Sequence, residues 1–114
     1  MIYLASPYSH ENESIEQERY DAVAAFCAHQ FHHSTEVIFS PIVYAHNLAQ
    51  QFDLGTTALD WRRYNATMLR LSHTLWVMKL DGWEESKGVL WEIDLAKTLF
   101  IPTYFIDEFG DHIL

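Results

Sequence analysis

The sequence predicts a single three-layer α/β domain, a parallel sheet of about four strands flanked by helices. Three observations predict it. Short apolar runs recur without polar alternation, the pattern of strands buried on both faces. Stretches of helical period separate them, in the order β-α-β-α-α-β-α-β. The length of 114 residues, 49% of them apolar and 20% charged, provides one core and no room for a second folding unit.

Residues 1–5, Met-Ile-Tyr-Leu-Ala, form the first run, closed by Ser6-Pro7. Residues 11–33 turn to helical period, with Ile15, Ala22, Val23, Phe26 and Gln30 on one side and Glu13, Glu16, Gln17 and Arg19 on the other. Glu11, Glu13, Glu16 and Glu18 crowd the first turns, where acids favour the helix dipole. Residues 36–40 are a second strand stopped by Pro41, and 44–52 a short helix ending near Gly55. A further helix spans 58–71, with Trp61, Tyr64, Met68 and Leu71 at helical spacing. Residues 74–78 are a third strand broken by Asp81-Gly82. Ser86 caps a helix to about Leu99 with the stripe Val89, Ile93 and Ala96. Residues 101–106 give a fourth strand and 107–114 a short tail.

Seven basic against sixteen acidic residues leave a charge of −9 and no Lys/Arg-rich block, which argues against a nucleic-acid polymer as partner. A small anion held by backbone N–H groups needs no net positive charge and stays open. Cys27 is the only cysteine, so neither a disulfide framework nor a cysteine zinc site is available, and a reducing compartment is expected. The N-terminus lacks a basic segment ahead of its apolar residues, unlike a signal peptide. No run approaches the roughly 20 apolar residues of a membrane span. The expectation is a cytoplasmic domain with no membrane partner.

In a sheet of this kind ligands bind beyond the carboxyl ends of the strands, which directs attention to residues 6–10, 41–46 and 81–86. Ser86, the N–H groups around Lys87 and Gly88, and the positive end of the helix they open make an anion or hydroxyl seat. Ser86 reads equally as a plain N-cap and Lys87 as a surface lysine. Gly88 lets a ligand or strand approach closely. Glu92, nearly two turns further on, shares the sheet-facing side of Gly88 and Val89, so it is buried with a partner or aimed into a cleft; a solvated helix acid is the plainer alternative. Tyr3 lies inside the first strand and its hydroxyl needs a partner, from a glutamate on the neighbouring helix or from backbone. Tyr8 is a stacking platform or a loop tyrosine.

Ile2-Tyr3-Leu4-Ala5-Ser6-Pro7-Tyr8, Ser40-Pro41 with His46, and Ser86-x-Gly88-Val89-x-x-Glu92 together resemble the nucleoside 2-deoxyribosyltransferase superfamily. Within it the sequence is most similar to a short branch, the DUF1937 type, with Gly82-Trp83-x-x-Ser86-x-Gly88. The resemblance covers nearly all of residues 1–114, in order and as one domain. It implies a flavodoxin- or Rossmann-like sheet and attack of a glutamate on C1′ of a ribosyl or deoxyribosyl group. Glu92 falls at the nucleophile, with Tyr3 hydrogen-bonding it. Ser86 falls at the 5′ end of the sugar, where relatives acting on nucleotides carry serine, so a 5′-monophosphate is expected. Ser6, Pro7, Tyr8, His46, Asn65 and Gly88 fall among the substrate-contacting positions.

The implied chemistry is sound. Departure of a base builds oxocarbenium-like charge, which a carboxylate stabilises or traps, and water or another base completes the reaction. The acid that relatives use to protonate the base falls at Asn65, an amide; Asp60 and Asp81 are the carboxyls able to replace it. The resemblance also implies a homo-oligomer, whose larger members use a C-terminal extension to complete a neighbour's site, and this sequence offers little there. No cofactor is implied. The competing function is a nucleotide-sensing module without catalysis; a third is an interaction protein, suggested by Trp83 and Trp91 as exposed aromatics.

Other constellations are weaker. His29, His32 and His33 share a helix end, but no carboxylate or cysteine completes a metal set, and no metal is expected. Gly-rich dinucleotide and P-loop motifs are absent. Cys27 reads as a buried thiol, and Trp61-Arg62-Arg63-Tyr64 as a helix surface.

Overall fold

The computed structural model describes residues 1–54 and 58–113, apart from the side chains of 58–60. The elements are β1 (Ile2–Ala5), α1 (Glu13–His33), β2 (Ile38–Phe39), α2 (Pro41–Phe52), α3 (Ala58–Arg70), β3 (Thr74–Met78), α4 (Lys87–Thr98), β4 (Thr103–Ile106) and β5 (His112–Ile113). A 3-10 turn, Trp83–Glu85, precedes α4. The sheet order is β2-β1-β3-β4-β5, with β1 to β4 parallel and β5 antiparallel to β4. This is a doubly wound α/β sheet whose direction of winding reverses between β1 and β3, the place where such sheets open a crevice.

Strand parity divides the core. Tyr3, Ala5, Leu75 and Val77 face the α3–α4 layer and pack with Leu69, Val89 and Ala96. Leu4, Met78 and Ile106 face the other way and pack with Val23 and Phe26 of α1. Tyr3 is therefore committed to the α4 side by its place in β1, and the α4 stripe Val89, Glu92 and Ala96 is the one that α4 buries.

The helix boundaries follow from caps. Ser40 Oγ accepts from Val43 N at 3.2 Å with Pro41 at the first helical position, so α2 begins three residues ahead of the expected Tyr44. Proline there fixes a helical φ and gives up an N–H that would be unpaired anyway. β2 shortens accordingly to two residues. Ser86 Oγ accepts from Val89 N at 3.3 Å and caps α4 as expected.

The tail is not a plain tail. Asp107 Oδ1 accepts from the N–H groups of Phe109 and Asp111, both at 2.9 Å, and Gly110 takes φ +91°, which turns the chain back as β5. The sheet thus has five strands, one more than expected. Trp83 and Trp91 are not exposed: Trp83 packs on the core beside Phe105, and Trp91 is half-buried under Arg62. Among the described residues no helix is long and apolar enough to cross a membrane.

α4 ends in a Schellman motif, with Phe100 N–H bonded to Lys97 O and Ile101 N–H to Ala96 O. The left-handed position falls on Phe100, at φ 56° and 94% exposed. A side chain pays about 1 kcal/mol there that glycine avoids, and this ring buries almost nothing in return. Phe100→Gly is expected to raise the melting temperature by about 2–4 °C; an unchanged or lower value would show that the ring makes contacts that outweigh its backbone cost.

Candidate active site

A cavity of about 570 Å³ opens at the carboxyl end of β1, bounded by the loop after β1, the starts of α2 and α4, and one face of α3. Its size suits a small organic ligand. Glu92 lies at its base, 6% exposed, and accepts a hydrogen bond from Tyr3 Oη. Burial pushes the Glu92 carboxyl up to about 8, and the bond from Tyr3 pulls against that rise. Burial first, then the charge of Glu92, holds the Tyr3 phenol well above the usual tyrosine range, so it stays a donor. A carboxyl poised near neutrality and oriented by a permanent donor suits acid–base or nucleophilic work.

The walls hold the rest. Ser6 Oγ is buried without a partner among the described residues, and Ser6 lines the cavity. Tyr8 Oη lies 2.5 Å from His46 Nδ1, and both residues line it. Ser86 and Gly88 form the α4 side, where the first N–H groups of the helix have no intrahelical acceptor. Asn65 lines the α3 side. Seven of the expected residues (Ser6, Tyr8, His46, Asn65, Ser86, Gly88 and Glu92) thus share one cavity, and Tyr3 reaches it through Glu92.

Pro7 is buried behind the wall. Asp81 is not a wall residue: it is exposed at a separate depression beside Arg19 and Lys79. Its use is through its backbone, since Arg19 Nη2 donates to Asp81 O at 2.8 Å. The side chain of Asp60 lies outside the described residues. Cys27 is half-buried, its thiol pushed up to about 11 by burial.

Arg19 is a structural element the sequence hid. Its guanidinium also donates to Tyr8 O at 3.3 Å and Ser9 O at 3.1 Å, tying the loop after β1 to the loop after β3. Gly82 makes room for it: at φ +87°, a Cβ there would stand 2.6 Å from Arg19 Nη2. Trp61 and Arg62, expected on a helix surface, instead line the cavity. The Arg62 guanidinium sits 5.3 Å from the Trp91 ring centroid, and its buried Nε has no partner among the described residues. The spacing to Asn65 puts Trp61 and Arg62 on one helix face with it, the signal that could have found them. Lys87 and Glu85 stand exposed at the rim. Among the described residues no group of three or more His, Cys, Asp or Glu could hold a metal ion.

Sheet order, crevice and buried acid together define a doubly wound α/β domain with a cleft at its switch point. More particularly, the chain belongs to the DUF1937 family, a domain of unknown function, whose profile matches residues 1–107. No curated protein matches it.

Proposed function

We propose that the protein cleaves, or transfers at, the N-glycosidic bond of a nucleoside 5′-monophosphate, with Glu92 as nucleophile and Tyr3 orienting it. The observation that carries this reading is a buried carboxyl hydrogen-bonded to a buried phenol at the base of a nucleotide-sized cavity. The resemblance to the nucleoside 2-deoxyribosyltransferases, which implies the same two roles for the same two residues, supports it. As the C1′–N bond lengthens, the sugar becomes cationic and the Glu92 carboxylate closes on C1′; water or an acceptor base then attacks the glycosyl ester.

The same cavity offers partners for a phosphate. Arg62 brings a buried N–H, without a partner among the described residues, to the wall of a protein whose net charge is −9. Lys87 and the opening N–H groups of α4 add positive potential at the rim. Incubation with ribo- and deoxynucleosides and their 5′-monophosphates, followed by chromatography of the free bases, tests the reading. Release from at least one monophosphate is expected; no release from any of them overturns it. Arg62→Ala is expected to raise KM for that monophosphate at least tenfold and to alter the corresponding nucleoside much less. Equal losses on both would take Arg62 off the phosphate.

Asn65 favours a second reading, because it places an amide where a proton donor to the base is expected. A nucleotide sensor without turnover would show thermal stabilisation by nucleotide and no free base.

A further inference from the structure

Expulsion of an ordinary base requires a proton, and among the described residues the cavity has few groups able to supply one. Glu92 is taken by C1′ in the proposed reaction, Glu85 is exposed at the rim, and Asn65 is an amide. His46 differs from all of these. It is 4% exposed although it lines the cavity. Tyr20 stacks on its ring, with centroids 4.1 Å apart and planes 19° apart, and Tyr20 is itself held by Asn47 Nδ2 at 3.2 Å. Tyr8 meets its edge, Oη to Nδ1 at 2.5 Å. A histidine serving only the core would have both ring nitrogens engaged by protein. Among the described residues only Nδ1 has a partner, which leaves Nε2 as the nitrogen that can meet a ligand.

We infer that His46, oriented by Tyr8, is the acid that protonates the departing base. This rests on the proposed glycosidic reaction and adds the residue that completes it. In the imidazolium form, Nδ1–H donates to Tyr8 Oη and Nε2–H points to the ligand. The Nε2 proton passes to a ring nitrogen of the base as the C1′–N pair leaves with it, and a Glu92 oxygen bonds to C1′. The ring is then neutral with its remaining proton on Nδ1, which goes on donating to Tyr8 Oη, so the Nδ1 contact survives the change. Water next attacks C1′ and gives a proton to Nε2, while the C1′–O pair returns to the Glu92 carboxylate. The cycle closes with free base, a sugar 5-phosphate and the starting protein. A phenol suits this place better than a carboxylate would, since it serves both protonation states without burying a second negative charge.

The test compares a 5′-monophosphate that the wild type cleaves with the 7-methylguanine deoxynucleotide, whose cationic base departs neutral without a proton. An acid of this kind contributes about 10²–10⁴-fold. His46→Asn and Tyr8→Phe are therefore expected to lose at least 100-fold and 10-fold on the ordinary nucleotide, and far less on the methylated one. Tyr8→Phe keeps the ring and supplies the comparison if His46→Asn fails to fold. Equal losses on both substrates, or none on either, overturn the inference. So does a wild type that cleaves only the methylated nucleotide, an outcome that leaves the role of Glu92 standing. A wild type that cleaves neither overturns the glycosidic reading and this one with it.

Discussion

Glu92→Gln is expected to abolish base release, by 10³-fold or more, and to make the protein more stable in alkali. The two effects share one origin. The amide keeps the shape of the carboxyl and can still accept from Tyr3, so the fold has no reason to change, but it cannot trap a cationic C1′. For stability, the folded Glu92 holds its proton up to about pH 8, whereas the unfolded chain releases it near 4.5. Below pH 4.5 both states are protonated and the residue is neutral to stability. Between 4.5 and 8 the unfolded state gains by ionising, so stability falls as pH rises; above 8 the loss is complete, on the order of 5 kcal/mol. Glutamine has no such loss. Thermal melts from pH 4 to 9 should show the two proteins close at the acid end and separated at pH 9 by on the order of 10 °C, the variant higher. Parallel curves would mean that the carboxyl is not buried in the folded protein.

The second large effect belongs to Tyr3→Phe. The Tyr3 hydroxyl is the group that pulls the Glu92 carboxyl downward against burial. Without it the carboxyl holds its proton to still higher pH, and the ionised fraction at pH 7 shrinks. In the wild type, kcat/KM should climb with pH toward about 8 as Glu92 ionises, and turn down in alkali as the acid that protonates the base loses its proton. In the variant the climb should move to higher pH, with a loss of 10- to 100-fold at pH 7 that narrows in alkali. A uniform loss with an unmoved midpoint would reduce Tyr3 to packing alone.

The three-layer plan is written in the chain. Runs such as residues 74–78 have no polar alternation because helices cover both faces of the sheet, and that burial is local enough to read directly. The meeting of Tyr3 and Glu92 is also legible, since each lies on the buried side of its own element. What escapes depends on how distant elements pack. Nothing local distinguishes Arg62 from Arg63, yet the contact of α3 with α4 turns the first into the cavity and leaves the second exposed. The turn through Asp107 and Gly110 carries a readable signal, a side-chain acceptor followed by a glycine, but two residues of β5 are too short for any periodicity. Asp81 looked like a stand-in acid because it ends a strand, and only the path of the following turn shows that it points away from the cleft.

The Arg19 bridge has a consequence for how the molecule answers acid and base. All three oxygens it engages are neutral peptide carbonyls, and guanidinium groups keep their charge across the range in which proteins stay folded. The seam between the two loops therefore has no titrating member. Acidity can switch the Glu92 carboxyl at the floor while the frame around it stays fastened, so tuning and rigidity are set by separate parts.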